Sequence, residues 1–514
     1  MRTKNSIINI GVSCTSYVFI MIGSFITRSL FSSILGLEII GIEGTYQNIV
    51  SALAIVELGL GVGIVYKLYK PIADENWDKV SVILCFLKKA YLLIALTVFS
   101  LGLIISFFVG APIKEDFSKT WLSFIFLLYV LDVISSYLFS HKRAMFIADQ
   151  KNYINNIIHT VIQVAMFVTQ ICILVFSKSF ELYLICKIIF RLAENIIISY
   201  YFEKRYPFIN TKTSEKMPSI EKKDLFNNIK AMLLHKIAGF SLTSTSSLII
   251  MYFVNLRESG MYSNYMLIVT ALISVSNEFF NGIVASFGNL LNTESKEKVY
   301  SNFNVLYFIN FLIYSFFTVS FFNMVTPFVS IWTGENTTFP ILISISIAGY
   351  LYMYGIRQSL LMVKVGAGIY NPDKYFAVLE AIVTLVLSLI LVRKMGVAGV
   401  MLGNMISMFL IPFWTQPYLV YKIVFNQKLK DYYFKYFIYA LLTIVYTFLV
   451  YSICSIHGKN GILGLILNAI ACLLVPNILN IIIFYRTDEF KRILDAAKNF
   501  GNKLKNNFRK EGIN

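Results

Sequence analysis

Four basic residues lie deep inside long apolar runs of this chain: Arg28, Lys187, Arg191 and Arg357. A charged side chain within a hydrocarbon layer is strongly unfavourable unless it faces a partner or a water-filled cavity. Guanidinium and ammonium groups are also common protein ligands of phosphate oxygens. We therefore predict that these four side chains bind an anionic group inside a cavity. The alternatives are snorkelling to the interface, or an ion pair between Arg28 and Glu57.

Tyrosines precede the last of these basic residues on the same apolar run. Tyr350, Tyr352 and Tyr354 lie within two helical turns before Arg357. Aromatic rings pack well against the apolar faces of sugar rings, so Tyr350 and Tyr354 join the predicted binding residues. The simpler alternative is an arginine that sits near the membrane interface.

Five acidic residues also fall at predicted membrane depth: Glu57, Asp132, Glu194, Glu278 and Glu380. Carboxylates within a membrane often carry protons or ions through transporters. We name all five as candidates for binding a coupling H⁺ or Na⁺. They are equally suited to neutralising the basic residues, and Arg191 and Glu194 are spaced to pair along one helix face.

The composition excludes several classes of protein. Of the 514 residues, 57% are hydrophobic and only 14% are charged, whereas soluble proteins carry about 25% charged residues. We therefore exclude a soluble enzyme, a disordered scaffold and a nucleic-acid binder, although the net charge is +17. The cysteines and histidines show no metal-binding spacing, and no catalytic triad or nucleotide-binding loop is visible. We expect neither enzymatic activity nor a metal or nucleotide cofactor.

Apolar runs bounded by charges predict an all-α polytopic membrane protein with fourteen transmembrane helices. The runs cover 7–35, 42–66, 82–110, 120–140, 153–176, 181–202, 231–255, 261–290, 300–326, 339–362, 375–392, 396–421, 436–456 and 461–485. Most of the Lys and Arg residues lie in the connecting segments that are predicted to be on the same side of the membrane as the N-terminus. Lys142 and Arg143 lie in one of these segments. Both termini are therefore predicted to be cytoplasmic.

Residues 37–80 align without a gap with residues 256–299. The matched pairs include Gly41 with Gly260, Tyr46 with Tyr265, and Lys79 with Lys298. Six predicted helices separate the copies, so both copies have the same orientation and form a parallel repeat. The predicted organisation is a six-helix lobe at 1–203, a basic cytoplasmic linker at 204–230, a second six-helix lobe at 231–422, helices 13 and 14 at 423–486, and a basic amphipathic cytoplasmic tail at 487–514. The two lobes are predicted to be related by parallel pseudo-symmetry, and the tail is predicted to bind anionic membrane lipids.

Several stretches resemble the Wzx-type flippases of polysaccharide biosynthesis, which belong to the multidrug/oligosaccharidyl-lipid/polysaccharide (MOP) exporter superfamily. They are Leu35-Gly-Leu-Glu-Ile-Ile-Gly-Ile-Glu-Gly-Thr-Tyr-Gln-Asn-Ile, the run 56–71, and shorter pieces at 260–265, 327–334 and 394–404. Relatives often have Thr-Asp early in the seventh helix, where this chain has Thr245-Ser246. A coupling role for that Asp therefore does not transfer to this chain.

The resemblance implies two six-helix lobes around a V-shaped cavity, followed by two extra helices. It also implies that undecaprenyl-pyrophosphate-linked oligosaccharide moves from the cytoplasmic to the outer leaflet of the bacterial inner membrane by alternating access, for O-antigen or capsule synthesis. A glycan polymerase and a chain-length regulator are expected partners. The alternatives are an ion-coupled multidrug or metabolite antiporter of the same superfamily, and a membrane-embedded glycan polymerase or acyltransferase. The buried cations argue against the antiporter, and the short outer loops argue against the enzyme.

Overall fold

The computed structural model describes the chain except for residues 1, 55–56, 114, 212, 214–217, 219–243, 370–371, 373, 458–460, 497 and 499–514. The described residues are helical almost throughout, and they divide into two compact units. The first unit holds residues 1–263 and 392–397, and the second unit holds residues 264–391 and 398–514. The predicted lobe and linker boundaries stay predictions.

Among the described residues, the first unit contains nine helices and the beginning of a tenth, besides the helical segment 392–397. They are α1 (Arg2–Leu35), α2 (Leu37–Leu53), α3 (Glu57–Ala73), α4 (Trp77–Ser106), α5 (Lys119–Tyr137), α6 (Ser140–Ala148), α7 (Asn152–Phe176), α8 (Phe180–Arg205), α9 (Ser244–Phe253) and the first turns of α10 (Leu256–Thr293). Helix α1 packs against α7, and α5 packs against both α4 and α8. These contacts bring the polar residues of α5 and α8 onto facing sides.

The second unit contains the rest of α10 and seven further helices. They are α11 (Lys296–Thr333), α12 (Ile341–Gly355), α13 (Gln358–Gly366), α14 (Lys374–Leu410), α15 (Pro412–Val420), α16 (Leu429–His457) and α17 (Ile462–Phe484). A π-helical turn at Tyr421–Phe425 follows α15. Helix α11 packs against α12, α16 and α17, so it forms the centre of this unit.

Nine helical segments among the described residues are long and apolar enough to cross a membrane. Large apolar side chains remain exposed along them, and Leu93 of α4 is 66% exposed. Exposed apolar surface on this scale is unfavourable in water and favourable in lipid. The chain is therefore a multi-pass membrane protein. The number fourteen stays a prediction, since α8 carries several charges, α12 is short and residues 231–243 lie outside the described part.

One predicted continuous span is wrong because its helix is interrupted, and another lies across two helices whose junction includes residues 55–56, outside the described part of the chain. The run 42–66 lies across α2 and α3, and α2 ends at Leu53. The run 339–362 is interrupted between Gly355 and Gln358, where Arg357 separates α12 from α13. Apolar length alone does not reveal such interruptions, because the broken segments are as hydrophobic as continuous helices.

The predicted runs 375–392 and 396–421 are joined within a single helical stretch, α14. Its backbone is kinked at Gly396, which has a positive φ of 55° and a ψ of −134°. Only glycine adopts this conformation readily, because it lacks a Cβ atom. The sequence thus placed the division between the two runs correctly, but the turn between them takes one residue.

The order of the helices repeats along the chain. Helices α4, α5, α6 and α7 follow each other as α11, α12, α13 and α14 do, and α6 and α13 are both nine residues long and both follow an interruption. The repeat-related Asn76 and Ser295 both cap the helix that follows them, accepting from the Lys79 N–H at 2.9 Å and the Lys298 N–H at 3.4 Å. The repeated segments begin at α2 and α10 and lead into capped helices, but the first copy is divided between α2 and α3 whereas the second copy is the single helix α10.

The two copies of the repeat cross at their first glycines. A Cβ atom at Gly41 would overlap the carbonyl group of Leu256, and a Cβ atom at Gly260 would overlap the carbonyl group of Leu37. Leu37 aligns with Leu256, and Gly41 aligns with Gly260. The two contacts are therefore equivalent, because swapping the two copies turns one contact into the other. Both contacts lie within the first unit. The glycines are needed because two helix backbones approach each other closely here.

Part of the predicted amphipathic tail is described as a helix at 488–496. Lys435 of α16 donates a hydrogen bond to Glu489 at 2.8 Å, and Arg492 donates to Ser301 of α11 at 2.7 Å. These bonds attach the start of the tail to the second unit. The remainder of the predicted tail, from residue 499 onward, lies outside the described residues.

Candidate substrate site

Arg28 of α1 forms an ion pair with Glu43 of α2, and both side chains are largely buried. The two helices are joined by Gly36, whose positive φ of 89° allows a tight turn between them. Because α1 and α2 run back along each other from this turn, two residues at similar distances from it come together. The side chain of Glu57, the partner considered from the sequence, lies outside the described residues.

Lys187 and Arg191 lie one turn apart on α8, and both contact Asp132 of α5. The Asp132 carboxylate accepts from Arg191 Nε at 2.5 Å and lies 3.2 Å from Lys187 Nζ. Asp132 is 8% exposed, whereas the two cations are 20% and 25% exposed. One negative charge therefore serves two positive charges, and this group has an excess of one cation.

Glu194 is bound by residues of two neighbouring helices rather than by its own helix. Its carboxylate lies 2.9 Å from Arg143 Nη1 and 3.2 Å from His159 Nδ1. The same Arg143 donates to Asn195 Oδ1 at 2.7 Å, and Asn195 donates to the Ser135 carbonyl at 2.6 Å. Arg191 and Glu194 thus form their direct ion pairs with Asp132 and Arg143, although the charge of Arg191 also acts on Glu194 within electrostatic range. The 2% exposure of Glu194 requires such partners, because a buried carboxylate without them is very unfavourable.

Arg143 and Lys142 correct a second interpretation. Both were assigned to a loop from the sequence, but they belong to the short helix α6, and Lys142 is buried. Lys142 donates to Ser199 at 2.5 Å and to Glu203 at 2.7 Å. Lys142 and Arg143 are therefore helix residues and not loop residues. Ion pairs with Glu203 and Glu194 of α8 stabilise their side chains against that helix.

Tyr129 connects the two ion-pair groups of the first unit. The Lys187 ammonium lies 5.6 Å from the centre of the Tyr129 ring. The Tyr129 phenol also lies within electrostatic range of Arg28, Glu43 and Asp132. We use the name N-terminal polar cluster for a set of six residues: Arg28, Glu43, Tyr129, Asp132, Lys187 and Arg191. It joins α1, α2, α5 and α8 at predicted membrane depth.

In the second unit, Arg357 lies at the interruption between α12 and α13. Its Nη1 donates to Glu380 Oε1 of α14 at 3.1 Å, and its guanidinium lies 5.6 Å from the centre of the Tyr354 ring. The Tyr350 ring stacks on Tyr354 with 6.0 Å between centroids. The structure therefore brings together all four residues that were named in this region. Tyr350 is buried and Tyr354 is partly exposed.

Asn310 of α11 stabilises this interruption. Its side-chain amide donates to the carbonyls of Gly355 at 3.1 Å and Ile356 at 2.7 Å. The Tyr314 ring packs directly against Gly355, where any side chain would overlap it. Broken helices in transporters commonly mark a binding site, because they place backbone carbonyls and charged groups inside the membrane. Arg357 stands at such a place.

Solved structures provide the comparison with known proteins. The chain matches an inward-facing multidrug resistance MATE family transporter of the MOP superfamily at 15% identity, over 78% of this chain and 93% of that one, with a TM-score of 0.60. It matches the lipid II flippase MurJ in an inward closed conformation at 13% identity, over 92% and 98%, with a TM-score of 0.64. A MATE transporter from Vibrio cholerae, VcmN, matches at 13% identity over 83% and 100%, with a TM-score of 0.54.

The chain has the fold of MOP-superfamily transporters. No protein-family model matches the sequence, and no curated protein matches it. At these identities the structural likeness establishes the fold and leaves the substrate open. The MOP fold agrees with the superfamily that the resemblance named, and all three neighbours are transporters or flippases by description.

The remaining candidate acids have different positions in this MOP fold. Glu278 is exposed on α10, and Glu57 begins α3. Sequence reasoning missed four residues at these sites. Glu43 contacts Arg28, and Arg143 and His159 contact Glu194. Asn310 donates to the carbonyls at the helix interruption beside Arg357. Glu43 had a visible signal, because it lies in the quoted stretch between two glycines, Gly41 and Gly44. His159 and Asn310 had none, since single polar residues inside apolar runs are common.

Proposed function

We propose that this protein is a flippase that moves undecaprenyl-pyrophosphate-linked oligosaccharide from the cytoplasmic to the outer leaflet for surface polysaccharide synthesis. The observation that carries the proposal is the group formed by Lys187, Arg191 and Asp132, in which two cations share one carboxylate. A partly buried excess of positive charge suits an anionic substrate and disfavours a lipophilic cation. The MOP fold and the resemblance to Wzx-type proteins support the same substrate class.

The physical task of such a protein is to replace the water around a pyrophosphate and its sugars. Neither group crosses hydrocarbon unaided, because losing hydration without new partners is very unfavourable. Arg28, Lys187 and Arg191 supply charged donors for the phosphates in this proposal. Arg357 with Tyr350 and Tyr354 supplies a guanidinium and aromatic surface for phosphate and sugar. The polyprenyl chain stays in the lipid, where it is already soluble.

Ion coupling is proposed at the same ion pairs. When a pyrophosphate binds Lys187 and Arg191, it competes with the Asp132 carboxylate for the same donors. To drive export, the Asp132 carboxylate would bind an ion from the outer side after the substrate leaves and release it to the cytoplasm before the next substrate binds. Glu380 has the equivalent relation to Arg357. We propose H⁺ as the coupling ion, with Na⁺ as the alternative, and expect no other cofactor.

The proposed setting is the bacterial inner membrane with both termini in the cytoplasm. The basic segments at 204–230 and 487–514 then face the anionic lipids of the cytoplasmic leaflet. A glycan polymerase and a chain-length regulator would act on the delivered substrate at the outer surface. Lobes with parallel pseudo-symmetry and alternating access complete the proposal, and the exchanged contacts of Gly41 and Gly260 support them.

The test is the leaflet in which the lipid-linked repeat unit resides after depletion of the protein. We expect the repeat unit to accumulate in the cytoplasmic leaflet, where an impermeant glycan-modifying reagent added to intact cells cannot reach it. Restoring the protein should return the repeat unit to the outer leaflet. Normal outward delivery in depleted cells that lack any other flippase would contradict the proposal.

A multidrug or metabolite antiporter is the second candidate function, and the MATE neighbours favour it. It predicts that a deletion strain becomes sensitive to lipophilic cations while its surface glycan is unchanged. Purified protein in vesicles would then exchange such a cation for H⁺ or Na⁺. The flippase proposal predicts the reverse on both measurements.

A further inference from the structure

His159 of α7 and Glu194 of α8 form a pair whose members differ strongly in exposure. His159 Nδ1 lies 3.2 Å from Glu194 Oε1, and the histidine side chain is 37% exposed whereas the glutamate side chain is 2% exposed. Among the described residues, the other direct partner of this carboxylate is Arg143 of α6, at 2.9 Å. A guanidinium does not give up its proton in a protein. A proton that leaves Glu194 through a direct partner therefore passes through His159.

The hydrogen positions of this pair follow from the chemistry of its two groups. An ionised carboxylate only accepts hydrogen bonds, so His159 Nδ1 carries the hydrogen while Glu194 is charged, and Nε2 holds a lone pair. In proton uptake, Nε2 takes a proton from water and the Nδ1 proton moves to the Glu194 oxygen. In release, the Glu194 O–H proton moves to Nδ1 and the Nε2 proton leaves to water. Each direction transfers one proton and leaves the ring neutral.

The charged groups around Glu194 come from the helices that pack against α8. Arg143 of α6 and His159 of α7 contact the carboxylate, and Arg191 of α8 acts on it through its charge. Asp132 of α5 binds the same Arg191, so this arginine lies between the two buried carboxylates. Histidine is the side chain among these that exchanges protons readily near neutral pH. The surroundings therefore single out the imidazole as the group that transfers protons.

His159 lies closer than Glu194 to one end of this helix pair. It follows the start of α7 at Asn152 by about 10 Å along the helix, whereas Glu194 precedes the end of α8 at Arg205 by about 16 Å. These two helix ends are adjacent, because α7 and α8 are joined by a short turn and pack against each other. In the proposed orientation they face the cytoplasm. A proton that passes from Glu194 to His159 therefore moves towards the cytoplasm.

The polar face of α8 continues to the same end. Asn195, Ser199 and Glu203 follow Arg191 at intervals of four residues, so the four side chains lie on one side of the helix. Lys142 of α6 donates to Ser199 at 2.5 Å and to Glu203 at 2.7 Å. The Glu203 side chain is 69% exposed. A column of polar groups thus joins the buried part of α8 to its exposed end.

We propose that His159 is a proton-transfer residue of this transporter, which passes the coupling proton from Glu194 to the cytoplasm. The inference rests on the proposed function and orientation, and it supplies the cytoplasmic release step that coupling at Asp132 requires. Glu194 binds the proton, His159 transfers it, and Arg143 positions the carboxylate. Neither His159 nor Glu194 belongs to the proposed substrate contacts, so their role is separate from anion binding.

The first experiment measures proton exchange at Glu194 without any substrate. The full chain in phosphatidylcholine nanodiscs is stepped from neutral to increasingly acid pH, and infrared difference spectroscopy records the carbonyl band of protonated carboxyl groups. We expect Glu194→Gln to remove one component of this band, which assigns that component to Glu194. The rate at which the component appears and disappears is the exchange rate. A band that is the same in Glu194→Gln and in the unmodified protein at every pH would overturn the proposal.

The second experiment changes His159 while keeping a hydrogen bond to Glu194. In His159→Gln the side-chain amide still donates to the carboxylate but does not relay a proton. We expect this variant to keep the Glu194 component and to exchange its proton about tenfold more slowly or less. The matched control is His141→Gln, which changes a buried histidine of α6 and should exchange at the unmodified rate. Equal rates in His159→Gln and in the unmodified protein would contradict proton transfer by His159.

The third experiment separates proton transfer from packing by chemical rescue. His159→Ala leaves a partly open gap beside Glu194, into which imidazole can diffuse from solution. We expect added imidazole to raise the exchange rate of His159→Ala by about threefold or more, and to leave His159→Gln unchanged because the amide fills the gap. Slow exchange in His159→Ala that imidazole does not raise would show a structural role and would overturn the proposal.

The fourth experiment tests the direction of release. His159→Cys is treated with an impermeant maleimide in right-side-out and in inverted membrane vesicles, and labelling at position 159 is read by mass spectrometry. We expect labelling in the inverted vesicles alone. Labelling in right-side-out vesicles, or none in inverted vesicles, would overturn release to the cytoplasm.

None of these measurements requires the lipid-linked substrate, so the proposal and the proposed function fail separately. Proton exchange through His159 in a protein that fails the leaflet test would refute the flippase and keep the exchange pair. Normal delivery of the glycan by a protein in which His159→Gln exchanges at the unmodified rate would refute the pair and keep the flippase.

Discussion

At the residue scale, each of the four predicted cations contacts a carboxylate. Arg28 contacts Glu43, Lys187 and Arg191 contact Asp132, and Arg357 contacts Glu380. Pairing of this kind removes most of the unfavourable free energy of a charge within a membrane. It also means that an anionic substrate must compete with a resident acid at each place. The strength of these pairs is therefore a determinant of transport as well as of folding.

Asp132→Asn should destabilise the protein by about 1 to 3 kcal/mol, because it leaves two partly buried cations without their carboxylate. Adding Lys187→Met removes one of those cations, and it should recover part of the loss. The measurement is thermal unfolding of the purified variants in one detergent. Asp78→Asn, which removes the same charge from an exposed position on α4, is the matched control and should unfold like the unmodified protein. Equal stability of the Asp132 and Asp78 variants would contradict the assigned role of the carboxylate.

Arg28→Ala should reduce outward delivery of the lipid-linked glycan by about tenfold or more, with the protein still inserted in the membrane. The double variant Arg28→Ala with Glu43→Ala removes both charges of the pair, so it should be more stable than Arg28→Ala but equally poor in transport. Surface glycan output and protein level in the membrane fraction are measured together. Normal glycan output from either variant would remove Arg28 from the substrate site.

At the scale of helices, the positions of interruptions and crossings determine the site. Arg357 is available to Glu380 and Tyr354 because α12 ends at Gly355 and α13 starts at Gln358. In the first unit, α5 and α6 are likewise separated by a short interruption after Tyr137, and α5 carries Asp132.

Asn310→Leu should destabilise the protein by about 1 to 3 kcal/mol, because the carbonyls of Gly355 and Ile356 lose their donor in a buried place. It should also lower glycan delivery, since the interruption that presents Arg357 loses its support. Thermal unfolding and glycan output test the two effects separately. A variant with lower stability and normal glycan output at equal protein level would show that Asn310 supports only the fold.

Gly41→Ala should destabilise the protein by about 1 to 3 kcal/mol, because the added methyl group overlaps the Leu256 carbonyl at the crossing of the two copies. Gly260→Ala should have a similar effect through the exchanged contact with Leu37. The control is Gly282→Ala, where nothing lies within 4 Å of the new atom; it should be neutral or slightly stabilising, because alanine favours helix more than glycine does. Similar unfolding temperatures for the variants of Gly41 and Gly282 would contradict a close crossing.

At the scale of the whole molecule, the tail connects pH to structure. Burial raises the pKa of the Glu489 carboxyl. The hydrogen bond and the charge of Lys435 lower that pKa by more than burial raises it, so the pKa is below the ordinary value. A carboxyl group with a lowered pKa in the folded protein stabilises the attachment at neutral pH, and the stabilisation is lost as the pH falls through that pKa. The helix at 488–496 should therefore detach from the second unit in acid.

Limited proteolysis of the tail at a series of pH values, with an acid-active protease below neutrality, measures this detachment. We expect cleavage near 488–496 to increase as the pH falls, at a pH where the membrane-spanning helices remain protected. In Glu489→Gln the tail should be cleaved readily at neutral pH as well, with little further dependence on pH. A pH profile identical in both proteins would contradict the role of Glu489.

The sequence determined the class of this protein, because long apolar runs have one stable arrangement in lipid, the helix with its internal hydrogen bonds. It also determined most helix positions, the repeat, and the chemistry of the buried cations. Tertiary structure alone decided that Arg28 pairs with Glu43 and that Arg191 pairs with Asp132 rather than Glu194. It also decided that the helix preceding Arg357 ends at Gly355. The physical reason is that partners distant in sequence are chosen by helix packing, and an interruption is stabilised by groups on other helices, such as Asn310, which no local pattern contains.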